Sequence, residues 1–96
     1  MITEIHEVIT EMFNDNTPNI IVSECTADVC KLFAKYINKE ETMYEFDELL
    51  FRIFEKHEDN IKSVHWTFVK MKSLSSAAIP YKMLWDLFEL EQKKHA

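Results

Sequence analysis

Apolar residues recur along this chain every three to four positions, the spacing that lines one face of an α-helix. Ile2, Ile5, Val8, Ile9, Met12 and Phe13 form the first such stripe, with Glu4, Glu7 and Glu11 on the other side. Thr3 offers a capping hydroxyl at its start, and Asn14-Asp15-Asn16 supplies a stop. Thr17-Pro18 opens a second segment, in which Ile21, Cys25, Val29, Leu32 and Tyr36 share a stripe widened by Val22, Phe33 and Ile37. Two starts compete here. Pro18 suits the first position of a helix. Ser23 is the better cap, and the β-branched run Ile20-Ile21-Val22 resists helix entry, so the later start is preferred.

Thr42-Met43-Tyr44-Glu45 matches a capping box. Met43, Phe46, Leu49, Leu50, Ile53, Phe54 and His57 then give the cleanest amphipathic pattern in the chain, with Tyr44 and Phe51 on a neighbouring stripe. Asp59 or Asn60 caps a fourth segment carrying Ile61, Val64, His65, Phe68 and Met71 at helical spacing. Val64, Trp66 and Phe68 also alternate as a strand would, and helix is the preferred reading. Ser73-Leu74-Ser75-Ser76 breaks the pattern. Ser76 or Pro80 starts a last helix whose stripe is Met83, Leu84, Leu87, Phe88 and Leu90, with Tyr81 and Trp85 to one side. The short connections predict sequential antiparallel packing. The expected fold is all-α: one domain over residues 1–96, a compact bundle of four to five short helices.

Glycine is absent from the 96 residues. That argues against a sheet of tight hairpins, whose turns need φ > 0. It also removes dinucleotide-binding and P-loop motifs, whose backbones approach phosphate through glycine. The 47% hydrophobic content excludes a disordered tail. Plentiful Lys and Ile beside scarce Gly, Arg and Ala fit an AT-rich coding sequence, such as that of a microbe, phage or plasmid.

Candidate chemistry is sparse. Cys25 and Cys30 lie about 140° apart around a helix and do not bridge each other. They read as small buried hydrophobes in a reducing compartment, and the expected location is cytoplasmic. No basic region followed by an apolar run marks a signal peptide. The longest uncharged stretch near the C-terminus, Ser73 to Tyr81, is too short and polar to span a bilayer, so no membrane partner is expected. His6, His57, His65 and His95 form no HExxH and no i,i+4 pair with another His or Cys, so no metal or cofactor is expected. His57 and His65 are assigned to the edge of a core stripe. No nucleophile–base signature points to an enzyme.

Charge is segregated. Residues 39–59 are acidic, and Glu41, Glu45, Asp47, Glu48 and Glu55 mark a candidate acidic face. Residues 61–82 hold Lys62, Lys70, Lys72 and Lys82 and no acid. The net charge is −6, and Arg52 is the sole arginine, which disfavours sequence-specific DNA reading. The aromatics exceed what one stripe per helix absorbs. Tyr44, Phe51, Trp66, Tyr81 and Trp85 are therefore the candidate contacts for a partner. The expected function is a non-enzymatic protein-binding module, such as a phage- or plasmid-encoded inhibitor or regulator, its partner another protein or a second copy in a homodimer. The first alternative is a nucleic-acid-binding or replication accessory protein using Lys62, Lys70, Lys72 and Lys82 around Trp66. The second is a small-ligand sink at a subunit interface.

Overall fold

The computed structural model describes residues 1–37, 43–71 and 79–94. Within them the chain forms α1 (Ile2–Met12), α2 (Asn19–Tyr36), α3 (Met43–Lys56), a single 3₁₀ turn (Glu58–Asn60), α4 (Ser63–Met71) and α5 (Pro80–Lys94). The fold is a small all-α bundle. Helix α1 packs against both α2 and α5, α2 against α3, and α4 against α5. Thr42 of the capping box, Glu41, Lys72, the break over 73–76 and His95 lie outside the described residues.

One aromatic cluster ties three helices together. Phe46 of α3 stacks on Phe88 of α5 at 4.1 Å between ring centroids. It meets Trp85 edge-on at 5.0 Å and lies 5.8 Å from Phe33 of α2 and 6.2 Å from Tyr36. Farther along, Phe54 meets Tyr81 at 5.8 Å. Phe46 thus faces the late part of α5 and Phe54 its start, so α3 and α5 run antiparallel. Tyr36 beside Phe46, and Lys56 paired with Glu24, give α2 and α3 the same antiparallel relation.

Four expectations change in detail. Helix α1 starts at Ile2, so Thr3 lies inside it and caps nothing. Helix α2 starts at Asn19 behind Pro18, and Ser23 is an exposed residue within it. The earlier start carries Val22 into the core beside Cys25, Thr26 and Val29, and burying Val22 outweighs the few tenths of a kcal/mol, roughly, that each β-branched residue costs in a helix. Residues 63–71 are helical, but α4 begins at Ser63 rather than behind Asp59 or Asn60. That start turns Val69 fully inward and leaves Val64 and Met71 exposed. In α5 Leu84 and Phe88 of the expected stripe are buried and are joined by Tyr81 and Trp85, while Met83 and Leu90 are exposed and Leu87 is half-buried.

The two tight loops clamp each other. Phe13 and Ile61 form an antiparallel bridge. The Asn14 amide donates to the Asn60 carbonyl at 2.8 Å, and the Lys62 amide to the Met12 carbonyl at 2.9 Å. The Thr17 hydroxyl reaches the same Asn60 carbonyl at 3.4 Å. Backbone groups at the helix ends are thereby paired, and the clamp fixes the chain just after His57, at residues 60–62.

Candidate partner-binding surface

The five aromatic candidates separate by burial. Tyr81 and Trp85 are core residues, 1% and 8% exposed. They are removed from the free surface because two apolar rows compete along α5, and the aromatic row has more area to bury. Their polar atoms, Tyr81 Oη and Trp85 Nε1, are buried away from solvent. Burial, with the Asp47 carboxylate adding to it, holds the Tyr81 phenol well above its ordinary pKa. Phe51 and Trp66 are half-buried and stack at 5.7 Å, joining α3 to α4, and the Lys70 ammonium lies 5.8 Å from the Trp66 ring centre. Tyr44, at 83% exposure, stands two turns from Phe51 on the same helix row.

The charged faces are less bare than the sequence suggests. On α3, Arg52 pairs with Glu48 at 3.0 Å and reaches Glu55 at 4.0 Å, while Glu45 is exposed and Asp47 half-buried. Among the candidate nucleic-acid lysines, Lys62 lies 3.8 Å from Asp15, Lys82 pairs with Asp86, and Lys70 is taken up by Trp66. Asp15, distant in sequence, and Asp86, one turn along α5, give two of these lysines acid partners that the stretch itself lacks.

The displaced α5 row makes a surface feature. Val8 of α1 with Met83, Leu87 and Leu90 of α5 lines a groove of about 450 Å³, rimmed by Glu4, Glu7 and Asp86. Leu90 is half exposed, at 51%, and Met83 also opens to solvent. Glu4 pairs with the Met1 ammonium at 3.3 Å and Asp86 with Lys82. Reading Met83, Leu87 and Leu90 as core concealed this groove. The signal that reveals it is the second row at positions 81, 84, 85 and 88, equally well spaced for a helix.

A second cluster joins α2 to the end of α3. One carboxylate oxygen each of Glu24 and Asp28 and a ring nitrogen of His57 lie within 4.8 Å of one another. The Lys56 ammonium stands 3.3 Å from Glu24 and 3.8 Å from Asp28. Phe13 packs on the His57 ring at 5.9 Å. In sequence the acids beside His57 are Glu58 and Asp59, which as immediate neighbours do not face it on a helix; the carboxylates that do reach it come from α2. Glu24 and Asp28 are four apart on one helix, but nothing local in the sequence brings His57 to them.

His65 is half-buried with Nδ1 unpartnered. Burial, then Lys62, lowers its pKa below the ordinary 6.5, opposed by Glu11. The folded state therefore holds its proton less well than the unfolded state. Its contribution to stability is complete above about pH 6.5 and is lost as pH falls from there through the folded pKa. The urea midpoint is expected to fall between pH 7 and pH 5, and less so in His65→Gln. An equal fall in the variant would remove His65 from that account.

Among the described residues no helix is long and apolar enough to cross a membrane. Comparison with protein-family models, curated proteins and solved structures finds no match to this chain.

Proposed function

We propose that the protein is a non-enzymatic binding module whose α1–α5 groove takes an amphipathic helix, basic on its polar side, from a partner protein. The observation that carries this reading is the apolar floor of Val8, Met83, Leu87 and Leu90 between acidic rims. Helices dock in such grooves through anchors at i, i+3 or i+4, and i+7. Met83 adapts its shape to different anchors. Glu7 faces the flanking cations of such a helix, Glu4 and Asp86 must exchange their internal partners Met1 and Lys82 to do so, and the −6 net charge speeds encounter with a basic partner. The nucleic-acid alternative loses support because Lys62, Lys70 and Lys82 are each engaged within the fold.

The test uses a short leucine–lysine amphipathic helix as probe and backbone amide chemical shifts as readout. Shifts are expected along Val8 and from Met83 to Leu90, weakening with salt. Met83→Glu with Leu90→Glu, both at exposed positions, should leave the circular-dichroism spectrum unchanged and weaken the probe at least about tenfold. Probe binding that survives the double substitution overturns the groove. Shifts centred on Tyr44, Phe51 and Trp66 would transfer the site to the aromatic step between α3 and α4. A natural partner, once captured in the presence of nuclease, must show the same loss.

A further inference from the structure

The Glu24, Asp28 and His57 cluster lies on α2 and the end of α3, away from the groove and independent of the reading above. We propose that these three side chains bind one divalent transition-metal ion of the Zn²⁺ class, with Lys56 holding the place of the cation when no metal is present.

Three observations carry the proposal. The donor atoms are already together, within 4.8 Å of one another. Donors at about 2.1 Å from a common tetrahedral ion sit about 3.4 Å apart, so the farthest pair must close by roughly 1.4 Å at most. Glu24, on the exposed face of α2, has the freedom to supply it. The second observation is His57 itself. Its side chain is more than nine-tenths buried, it brings a ring nitrogen to the carboxylates, and its Nε2 has no hydrogen-bond partner. A buried polar nitrogen without a partner is costly in a native fold and calls for a reason, and a metal ion supplies one. The third is the resident cation. Lys56 lies between the two carboxylates, so the field at this point already selects positive charge.

The chemistry of the donors narrows the ion. Two carboxylates alone would suit Mg²⁺ or Ca²⁺, which prefer oxygen; a neutral imidazole shifts the preference to Zn²⁺, Co²⁺ or Ni²⁺. The imidazole is preorganised. Phe13 packs on the ring, the His57 amide donates to the Phe54 carbonyl at 3.0 Å, and the Asn60 amide donates to the His57 carbonyl at 2.9 Å. Glu24 and Asp28 share one face of α2 at i,i+4, so they reach the ion from the same side. Three protein ligands leave a fourth tetrahedral position for water or for a group from a partner.

The experiment titrates the full chain, freed of metal, with ZnCl₂ by calorimetry and with CoCl₂ by visible absorption. One ion per chain is expected, with a cobalt spectrum of low coordination number. Glu24→Gln with Asp28→Asn changes only surface-accessible carboxyls and should weaken binding at least about 100-fold, more than the loss of an outer-shell partner costs. Lys56→Gln removes the competing ammonium and should tighten binding about tenfold. His57→Gln should lose the ion as well. If that variant fails to fold, the carboxyl pair and Lys56→Gln carry the test on their own. His6→Gln and His65→Gln should bind as the wild type does. The absence of saturable one-to-one Zn²⁺ binding overturns the proposal, and so does binding that the carboxyl double variant leaves unchanged.

Discussion

Phe46→Ala is expected to lower the melting temperature by roughly 15–30 °C, the largest effect of any single substitution considered. Phe46 is fully buried and touches Phe33, Tyr36, Trp85 and Phe88, so its ring is shared by α2, α3 and α5. Truncating a core phenylalanine costs about 3–5 kcal/mol through lost transfer energy and the cavity left behind. A domain of this length is stable by about 5–14 kcal/mol in total, and each kcal/mol moves the midpoint by roughly 4–8 °C. A large share of the folded state's margin therefore rests on one ring. Phe46→Leu keeps most of the volume and should cost about 1.5 kcal/mol or less. Tyr44→Ala, two residues away but almost fully exposed, should fall within about 0.5 kcal/mol of the wild type. Urea denaturation followed by tryptophan fluorescence and circular dichroism reads all three. A cost below about 1 kcal/mol for Phe46→Ala would mean that this aromatic cluster is not the centre of the core.

That contrast between Phe46 and Tyr44 marks how far periodicity reaches into the fold. In α1 the apolar residues occupy one row, in α3 one main row flanked by Tyr44 and Phe51, and the buried residues Ile5, Val8, Ile9, Met12, Phe46, Leu50 and Phe54 are among those the main stripes predict. In α5 two rows are apolar. Spacing cannot rank Tyr81, Leu84, Trp85 and Phe88 against Met83, Leu87 and Leu90; the choice is made by what stands opposite, and Phe46 and Phe54 of α3 offer rings to rings. The start of α2 differs from the expected Ser23 for a related reason. Local cap preference favours Ser23, while tertiary burial of Val22 favours Asn19, and burial wins. The candidate sites were less legible than the fold. The groove needed the α5 register, and the Glu24, Asp28 and His57 cluster needed α3 to lie antiparallel to α2. The acid neighbours of Lys62 and Lys82 likewise come from the folded chain: Asp15 across the loop clamp and Asp86 one turn along α5.

The two cysteines test the same core from inside. At pH 8, a thiol reagent is expected to modify Cys30 promptly and Cys25 at least about 1000-fold more slowly. Both thiols are free, but Cys25 is fully buried while Cys30 is half-buried on another side of α2. Burial first, and then the carboxylates of Asp28 and Glu24, push the Cys25 thiol up to about 12. Its thiolate fraction at pH 8 is then about one in ten thousand, against roughly a quarter for an ordinary thiol. Burial raises the Cys30 thiol as well, but that side chain remains within reach of solvent. Cys25 must therefore await an opening of the domain, and its rate reports the free energy of that opening. Colorimetric titration should show one fast equivalent, with the second appearing only in denaturant. Cys30→Ser should abolish the fast phase and Cys25→Ser the slow one. Two equivalents released at similar rates would place Cys25 outside the core. In Phe46→Ala the slow phase should accelerate by a factor of about 150 to 5000, the equivalent of the 3–5 kcal/mol lost, because the substitution that empties the centre of the aromatic cluster makes the same opening cheaper. An unchanged rate in that variant would mean that Cys25 is reached through a local opening of α2, one that leaves the contacts of Phe46 in place.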